Sequence, residues 1–471
     1  MVFSSLTFVY AFLPLTAVLY FIIPNRSWRN GILLLASLVF YSWGEPKFLL
    51  LLLAAALVAW LGGIGIDAAA RRGRETRKKT IYIVSLCLLA GNLFVFKYLN
   101  FAADSLGKLL GQQWSIAAVA LPIGISFYTF QILSYLIDLY RGNVAVQKNY
   151  FLLLLYVSFF PQLIAGPIVR YQTVETEIRE RKETTADVSA GLRRFIIGLA
   201  KKVLLSNGLA ELPELIYVGR PAVFGSTMYW IAAIAFSLQI YFDFSGYSDM
   251  AIGLGRLFGF TFPENFDFPY ISRSLSEFWR RWHMTLNRWF VQYLYIPLGG
   301  RGKGKGRTVF NKLLVFLATG LWHGAGWTYI LWGLWHGVFV SAEGLCRDIL
   351  TRLEKSFFGR ALLHIYTLLV VALGFAMFRA ADVREGFAML GALFSFAPCR
   401  LVNPGILNGA RIAALLAGLV FCFPIEKQLE NAAEKCGALW HIFNLLTLIG
   451  LAVSILALSA GGFTPFIYQQ F

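Results

Sequence analysis

The chain has 471 residues, of which 58% are hydrophobic and only 14% are charged. A soluble globular domain carries about 25% charged residues, so this composition excludes an ordinary soluble protein. The formal net charge is +17. In a soluble chain that would raise nucleic acid as a partner. Here no aromatic–basic surface pattern supports nucleic acid, and basic loops meeting anionic lipid headgroups on the cytoplasmic side account for the charge.

Apolar runs recur from end to end, most of them near the roughly 20 residues a bilayer-spanning helix needs. In chain order they cover 6–24, 31–44, 48–66, 80–98, 115–139, 151–168, 228–243, 309–322, 329–342, 362–378, 412–423 and 442–459. Backbone groups in lipid must bond internally, and these runs lack the short alternation of a barrel. The expectation is an all-α polytopic membrane protein with about a dozen membrane-embedded helices, some too short to span. One integral domain would cover 1–460, followed by a short tail, 461–471. The first run lacks a basic leader and a small-residue cleavage site, so it reads as a retained helix. The five cysteines are scattered without a CxxC pair, which argues against a disulfide framework and against a metal site.

Orientation follows from Lys and Arg. Arg71–Lys79, RRGRETRKK, is the strongest inside signal, joined by Arg26 and Arg29, by Arg301–Arg307 and by Arg347–Arg360. The N-terminus and the tail are then extracytoplasmic. Glu175–Lys202 reads as a cytosolic loop leading into an interfacial helix. Backbone breaks cluster in the middle of the chain: FPQLIAGP at 160–167, and Gly324, Gly326, Gly333 and Gly337. Broken backbone at membrane depth is tolerated where it lines an enclosed cavity. Residues of about 150–345 therefore read as a re-entrant, funnel-forming core.

Two of only five histidines sit in conspicuous company. His283 lies in SEFWRRWHMTLNRWF, and His323 in TGLWHGAGWTYILWGLWHG, which carries no Asp, Glu, Lys or Arg. An imidazole in a membrane-embedded segment is costly without a task or a partner, and histidine is the side chain suited to proton transfer near neutral pH. On one continuous helix Trp279, His283 and Asn287 share a face, with Arg280 and Arg281 off it. One reading is an interfacial aromatic belt with snorkelling arginines. The other is a basic mouth for an anionic donor, formed by Arg280, Arg281, Trp279 and Asn287, with His283 at its neck. His336, 13 residues beyond His323, is about 20 Å away along a continuous helix, too far for a metal pair, and fits a packed structural role.

YFDFSGYSDM places Asp243 and Asp249 around Ser245. The order F-S-G-Y-S is not a hydrolase elbow. The carboxylates read as partners of arginines or as orienters of a histidine. The chain ends FIYQQF, so Tyr468 is either an aromatic anchor at the outer interface or a nucleophile, which at neutral pH would need a base.

These segments resemble the membrane-bound O-acyltransferase family, in particular its bacterial alginate and peptidoglycan O-acetyltransferase branch. The resemblance covers nearly the whole chain. It rests on MVFSS…PN, FYSWGEP, FQILSYLID, FPQLIAGPIVRY, YFDFSGYSDM and, most specifically, FWRRWHMTLNRWF and LWHGAGW. It implies helices ringed around a thinned centre with a through-tunnel. It also implies catalysis by His323 next to Trp322, a donor-side companion in His283, and support from Asp243, Ser245 and Asp249. The closing F-x-Y-x-x-F pattern, here 466–471, implies an acyl-accepting tyrosine, Tyr468. The implied reaction moves acetyl from a cytosolic thioester, acetyl-CoA, to an extracytoplasmic SGNH-type serine-esterase-like partner and finally to a polysaccharide. The bacterial cytoplasmic membrane is the implied location, with membrane lipids as the surroundings. Two alternatives stand beside it: D-alanyl transfer to teichoic acid from the phosphopantetheine thioester of an acyl-carrier protein, and a transporter or flippase with a histidine proton relay.

Overall fold

A computed structural model describes residues 1–112, 114, 119–217, 221–302, 304–398, 405–461 and 465–467. Every regular element among them is helical. Four helices are long and apolar enough to cross a membrane: Pro46–Arg71, Glu75–Lys97, Phe357–Arg379 and Gly437–Ser459. Gly409–Phe421 and Ile425–Glu434 form a further pair, bent by 64°. The remaining apolar runs fold as shorter helices or as helices interrupted by charge and glycine. The start of the 115–139 run lies outside the described residues. Lipid-facing sides are apolar and exposed; only 11% of the apolar window of Gly437–Ser459 is buried, as expected where hydrocarbon replaces water.

The chain forms two compact units, Met1–Phe195 with Met250–Pro263, and Ile196–Asp249 with Glu264–Phe471. In the first, Pro46–Arg71 and Glu75–Lys97 turn back on each other through Gly73, whose φ is 65°. Ile125–Arg141 is buried over most of its length. The FPQLIAGP break is real: Phe160–Leu163 is a single short turn begun by proline. A Cβ on Gly166 would lie 2.7 Å from the Pro161 carbonyl oxygen, so this reversal requires glycine.

The charged end of this unit is also ordered. In the loop before Thr185–Ala200, Glu183 accepts from Arg26 at 2.5 Å and Arg29 at 2.6 Å, and from the Tyr20 hydroxyl. Arg181, buried, donates to the Phe258 carbonyl at 2.9 Å and to Asn30 at 2.7 Å. The basic loop expected at Arg26 and Arg29 is therefore tied down by an ion-pair network rather than spread on a lipid surface.

In the second unit, Lys305–His323 and Trp327–Leu345 form an antiparallel hairpin joined by 324–326. The two helices touch where both are glycine. A Cβ on Gly333 would meet the Phe316 carbonyl and lie 3.2 Å from the Gly320 Cα, so only bare backbone permits this approach. Glu343, on the second of these helices, accepts from the backbone N–H groups of Leu275 (2.5 Å) and Ser276 (2.9 Å). A carboxylate at a helix N-terminus satisfies donors that have no partner within the helix. It fixes the FWRRWH helix, Leu275–Arg281, to the hairpin.

Candidate active site

The FWRRWHMTLNRWF segment is not one helix. Leu275–Arg281 and Met284–Phe290 are separate, and His283 between them has φ 43° and ψ 52°. This corrects the expectation that Trp279, His283 and Asn287 share a face. Asn265 is one cause of the break: its carbonyl accepts the Met284 N–H at 2.9 Å, and its side-chain oxygen accepts the Thr285 N–H at 3.3 Å. These two donors are thereby drawn out of the helical pattern. Asn287 still reaches Trp279, but through its side-chain amide to the Trp279 carbonyl at 2.8 Å.

Asn265 also defines the chemistry of His283. Its Oδ1 lies 3.1 Å from His283 Nδ1 and accepts from the Thr285 hydroxyl at 2.8 Å, while its Nδ2 donates to Ser248 Oγ at 3.0 Å. With Oδ1 already accepting from Thr285, His283 must donate from Nδ1. The lone pair of a neutral ring is then on Nε2. Among the described residues Nε2 has no hydrogen-bond partner, although the ring is 1% exposed. The ring packs edge-on against Phe244 at 4.6 Å and near Trp322 at 5.6 Å.

His323 ends its helix as the sequence implies, and the chain leaves it extended at Gly324. It is buried in an aromatic cage of Trp322 (5.0 Å), Trp332 (5.0 Å) and Phe378 (5.4 Å). Trp322 therefore packs against both candidate histidines. His336 is enclosed by Trp279 and Trp332 at 5.1 and 5.2 Å, the packed position expected for it.

Asp243 and Asp249 each pair with a lysine. Asp243, fully buried, is paired with Lys202 and accepts from Ser206 Oγ at 3.2 Å. Lys201 bridges Asp249 at 2.8 Å and Glu426 at 2.6 Å. Both lysines open the π-helical turn Lys201–Ser206. Such wide turns are often found at functional sites. Lys202, which ends the segment expected to be interfacial, is buried rather than reaching to headgroups. Ser245 is buried, and its hydroxyl has no hydrogen-bond partner among the described residues.

The same carboxylate holds the tail. Asp243 Oδ2 accepts the Ile467 backbone N–H at 2.7 Å, and Lys202 Nζ reaches the Pro465 carbonyl at 3.4 Å. Phe466 is buried, stacked on Tyr247 at 4.8 Å and 5.8 Å from Phe244. Phe244 in turn packs on His283. Tyr468 itself lies outside the described residues.

The expected donor mouth is only partly free. Arg281 is held by Asp267 at 2.6 Å and Glu277 at 3.1 Å, and Trp279 is buried against Phe316, Trp332 and His336. Arg280 is exposed. Sequence reasoning missed Asn265 and Lys202. Asn265 stands 18 residues before the histidine it orients, in ENFDFPY, and its one clue is a lone amide within an aromatic run.

Known proteins decide the family. The family model described as "MBOAT, membrane-bound O-acyltransferase family" matches residues 143–382, and relatives align along the whole chain. This chain belongs to the membrane-bound O-acyltransferase family. The protein named probable alginate O-acetylase in Pseudomonas putida is 38% identical over all of both chains. The peptidoglycan O-acetyltransferase of Helicobacter pylori is 33% identical over 83% of this chain and 79% of its own. The teichoic acid D-alanyltransferase of Bacillus subtilis is 29% identical over 46% of this chain and 58% of its own. The family member described here is thus a polytopic membrane O-acyltransferase. Both site histidines, Asn265 and Asp243 lie inside the matched region; the tail lies beyond it.

Proposed function

We propose that this acyltransferase moves acetyl groups from a cytosolic thioester, acetyl-CoA, across the bacterial cytoplasmic membrane for O-acetylation of a cell-surface or secreted polysaccharide, alginate, peptidoglycan or a similar polymer. The observation that carries the reading is the seating of Pro465–Ile467 on Asp243 and Lys202, with Phe466 against Phe244, the ring that packs on His283. The residue that follows is Tyr468, the one phenol of the tail. The end-to-end likeness to O-acetylases supports acetyl over D-alanyl, where the likeness covers under half of this chain. Membership in an acyltransferase family disfavours the transporter reading.

The thioester supplies an activated acetyl carbonyl. His323 takes the phenolic proton of Tyr468, the tyrosine oxygen bonds to the acetyl carbon, the C–S bond breaks, and the proton returns to the departing sulfur. His283, with Nδ1 committed to Asn265, offers the lone pair of Nε2 on the donor side. Arg280 meets donor phosphates. The tyrosyl ester is then attacked by a hydroxyl of an extracytoplasmic serine-esterase-like partner, and the phenol is regenerated. Purified protein in liposomes loaded with acetyl-CoA tests this reading. Thioester-dependent acetylation outside the vesicle is expected. Translocation of a solute with no thioester consumed would refute it.

A further inference from the structure

A second site lies in the first unit, which contains none of the residues assigned to the transfer chemistry. A cavity of about 570 Å³ is bounded by the end of Pro46–Arg71, the start of Glu75–Lys97, the end of Ile125–Arg141, the loop 142–148 and Arg179. That volume falls within the roughly 300–1,000 Å³ of small-molecule pockets. Five cations line it, Arg71, Lys78, Arg141, Lys148 and Arg179, against one carboxylate, Asp67.

Only part of this charge is neutralised locally. Asp67 is taken by Arg71 at 2.9 Å. Lys78 lies over the Tyr140 ring at 4.8 Å, and Tyr140 is stacked on Tyr82 at 4.2 Å, which fixes the ammonium in place. Among the described residues Lys148 and Arg179 have no ion-pair partner. Ile66, Leu139, Val144 and Val146 supply apolar wall between the charges. The cations come from four separate stretches of chain, so the cavity is more than the basic loop. Arg72 and Arg74, in that loop, do not line it.

We propose that this cavity binds the phosphate of an anionic phospholipid headgroup. Two of the helices that bound it, Pro46–Arg71 and Glu75–Lys97, are long enough to span the bilayer, and it opens at the ends that RRGRETRKK marks as cytoplasmic, the level of the headgroups. Basic pockets between spanning helices on that side suit acidic lipids, and guanidinium groups suit phosphate oxygens. The apolar wall fits a ligand with acyl chains better than a freely soluble phosphate. This site is independent of the acetyl-transfer reading.

The full chain, purified in detergent, is exposed to phosphatidylglycerol or phosphatidylcholine with identical chains, and retained lipid is read by native mass spectrometry. Wild type should retain phosphatidylglycerol selectively. Lys148→Gln/Arg179→Gln should weaken that retention about thirtyfold, about fivefold for each basic side chain near an anionic lipid. Arg72→Gln/Arg74→Gln, outside the cavity, should leave it unchanged. If the double variant does not fold, Lys148→Gln alone should show the fivefold loss. An equal loss in the loop variant would reduce the effect to diffuse charge and overturn the proposal. So would displacement of the lipid by adenosine 3′,5′-bisphosphate, which would make the cavity a soluble-phosphate site.

Discussion

Asn265 and His283 are joined by a 3.1 Å contact between the amide oxygen and Nδ1, which leaves Nε2 as the ring's acceptor. Because the Thr285 backbone N–H can only donate, it fixes the amide oxygen toward itself and His283, so the tautomer is set by Asn265 and Thr285 and not by the histidine alone. Asn265 is therefore a positioning residue. Asn265→Leu should lower acetyl transfer about 10- to 100-fold, the range for removing the partner that orients a metal-bound imidazole. Asn265→Asp keeps an acceptor opposite Nδ1 and should recover part of the loss, with a shifted pH–rate profile. Equal loss in both variants, with an unchanged profile, would assign Asn265 to packing.

Asp243 joins two tasks, pairing with Lys202 and holding the tail. Asp243→Asn leaves Lys202 buried without its counter-charge, a change that costs about 3–5 kcal/mol when one partner of a buried pair is lost. Asp243→Asn/Lys202→Met should regain most of that stability in a thermal melt. Even so, the tail should stay released, seen as faster digestion of the C-terminus by carboxypeptidase. Protection equal to wild type in both variants would show that the pair does not hold the tail.

The two arginines of the donor mouth should separate. Arg280 is exposed, whereas Arg281 is engaged by Asp267 and Glu277. Arg280→Gln should raise KM for the thioester with kcat unchanged, as expected for lost uniform binding. Arg281→Gln should lower thermal stability with little change in KM. The reverse pattern in steady-state kinetics would restore Arg281 as the docking residue.

Glu183 gives the N-terminal unit an acid-sensitive fastening. Burial alone would raise its carboxyl pKa, but the hydrogen bonds from Arg26 and Tyr20 and the charges of Arg26 and Arg29 outweigh it and hold the pKa below the usual value. A depressed carboxylate contributes stability above its unfolded pKa, about 4.3, and loses it as pH falls through the folded value. Glu183→Gln should thus melt lower than wild type at pH 7, and the gap should close below about pH 4. A gap that persists unchanged into acid would assign the loss to packing.

The sequence makes the membrane class, the break at FPQLIAGP and the helix end at His323 readable, because composition, proline, glycine and apolar run length are local signals. It fails where partners are distant. The i, i+4, i+8 spacing of Trp279, His283 and Asn287 describes a helix that Asn265, 18 residues upstream, interrupts. The partners of Asp243 and Asp249 lie more than 40 residues away on Lys202 and Lys201, inside a segment whose charge reads locally as an interfacial helix. The same blindness hides the ion pairs that occupy Arg281.

Tyr468 of the tail is the proposed carrier of the acetyl group. That role is tested most directly by mass spectrometry of the C-terminal peptide after incubation of wild type, Tyr468→Phe and His323→Ala with acetyl-CoA. A labile acetyl adduct is expected on Tyr468 in wild type and none in Tyr468→Phe. In His323→Ala it should form about 10²- to 10⁴-fold more slowly, the usual contribution of a general base. Full polymer acetylation by Tyr468→Phe, with no adduct in wild type, would contradict that role.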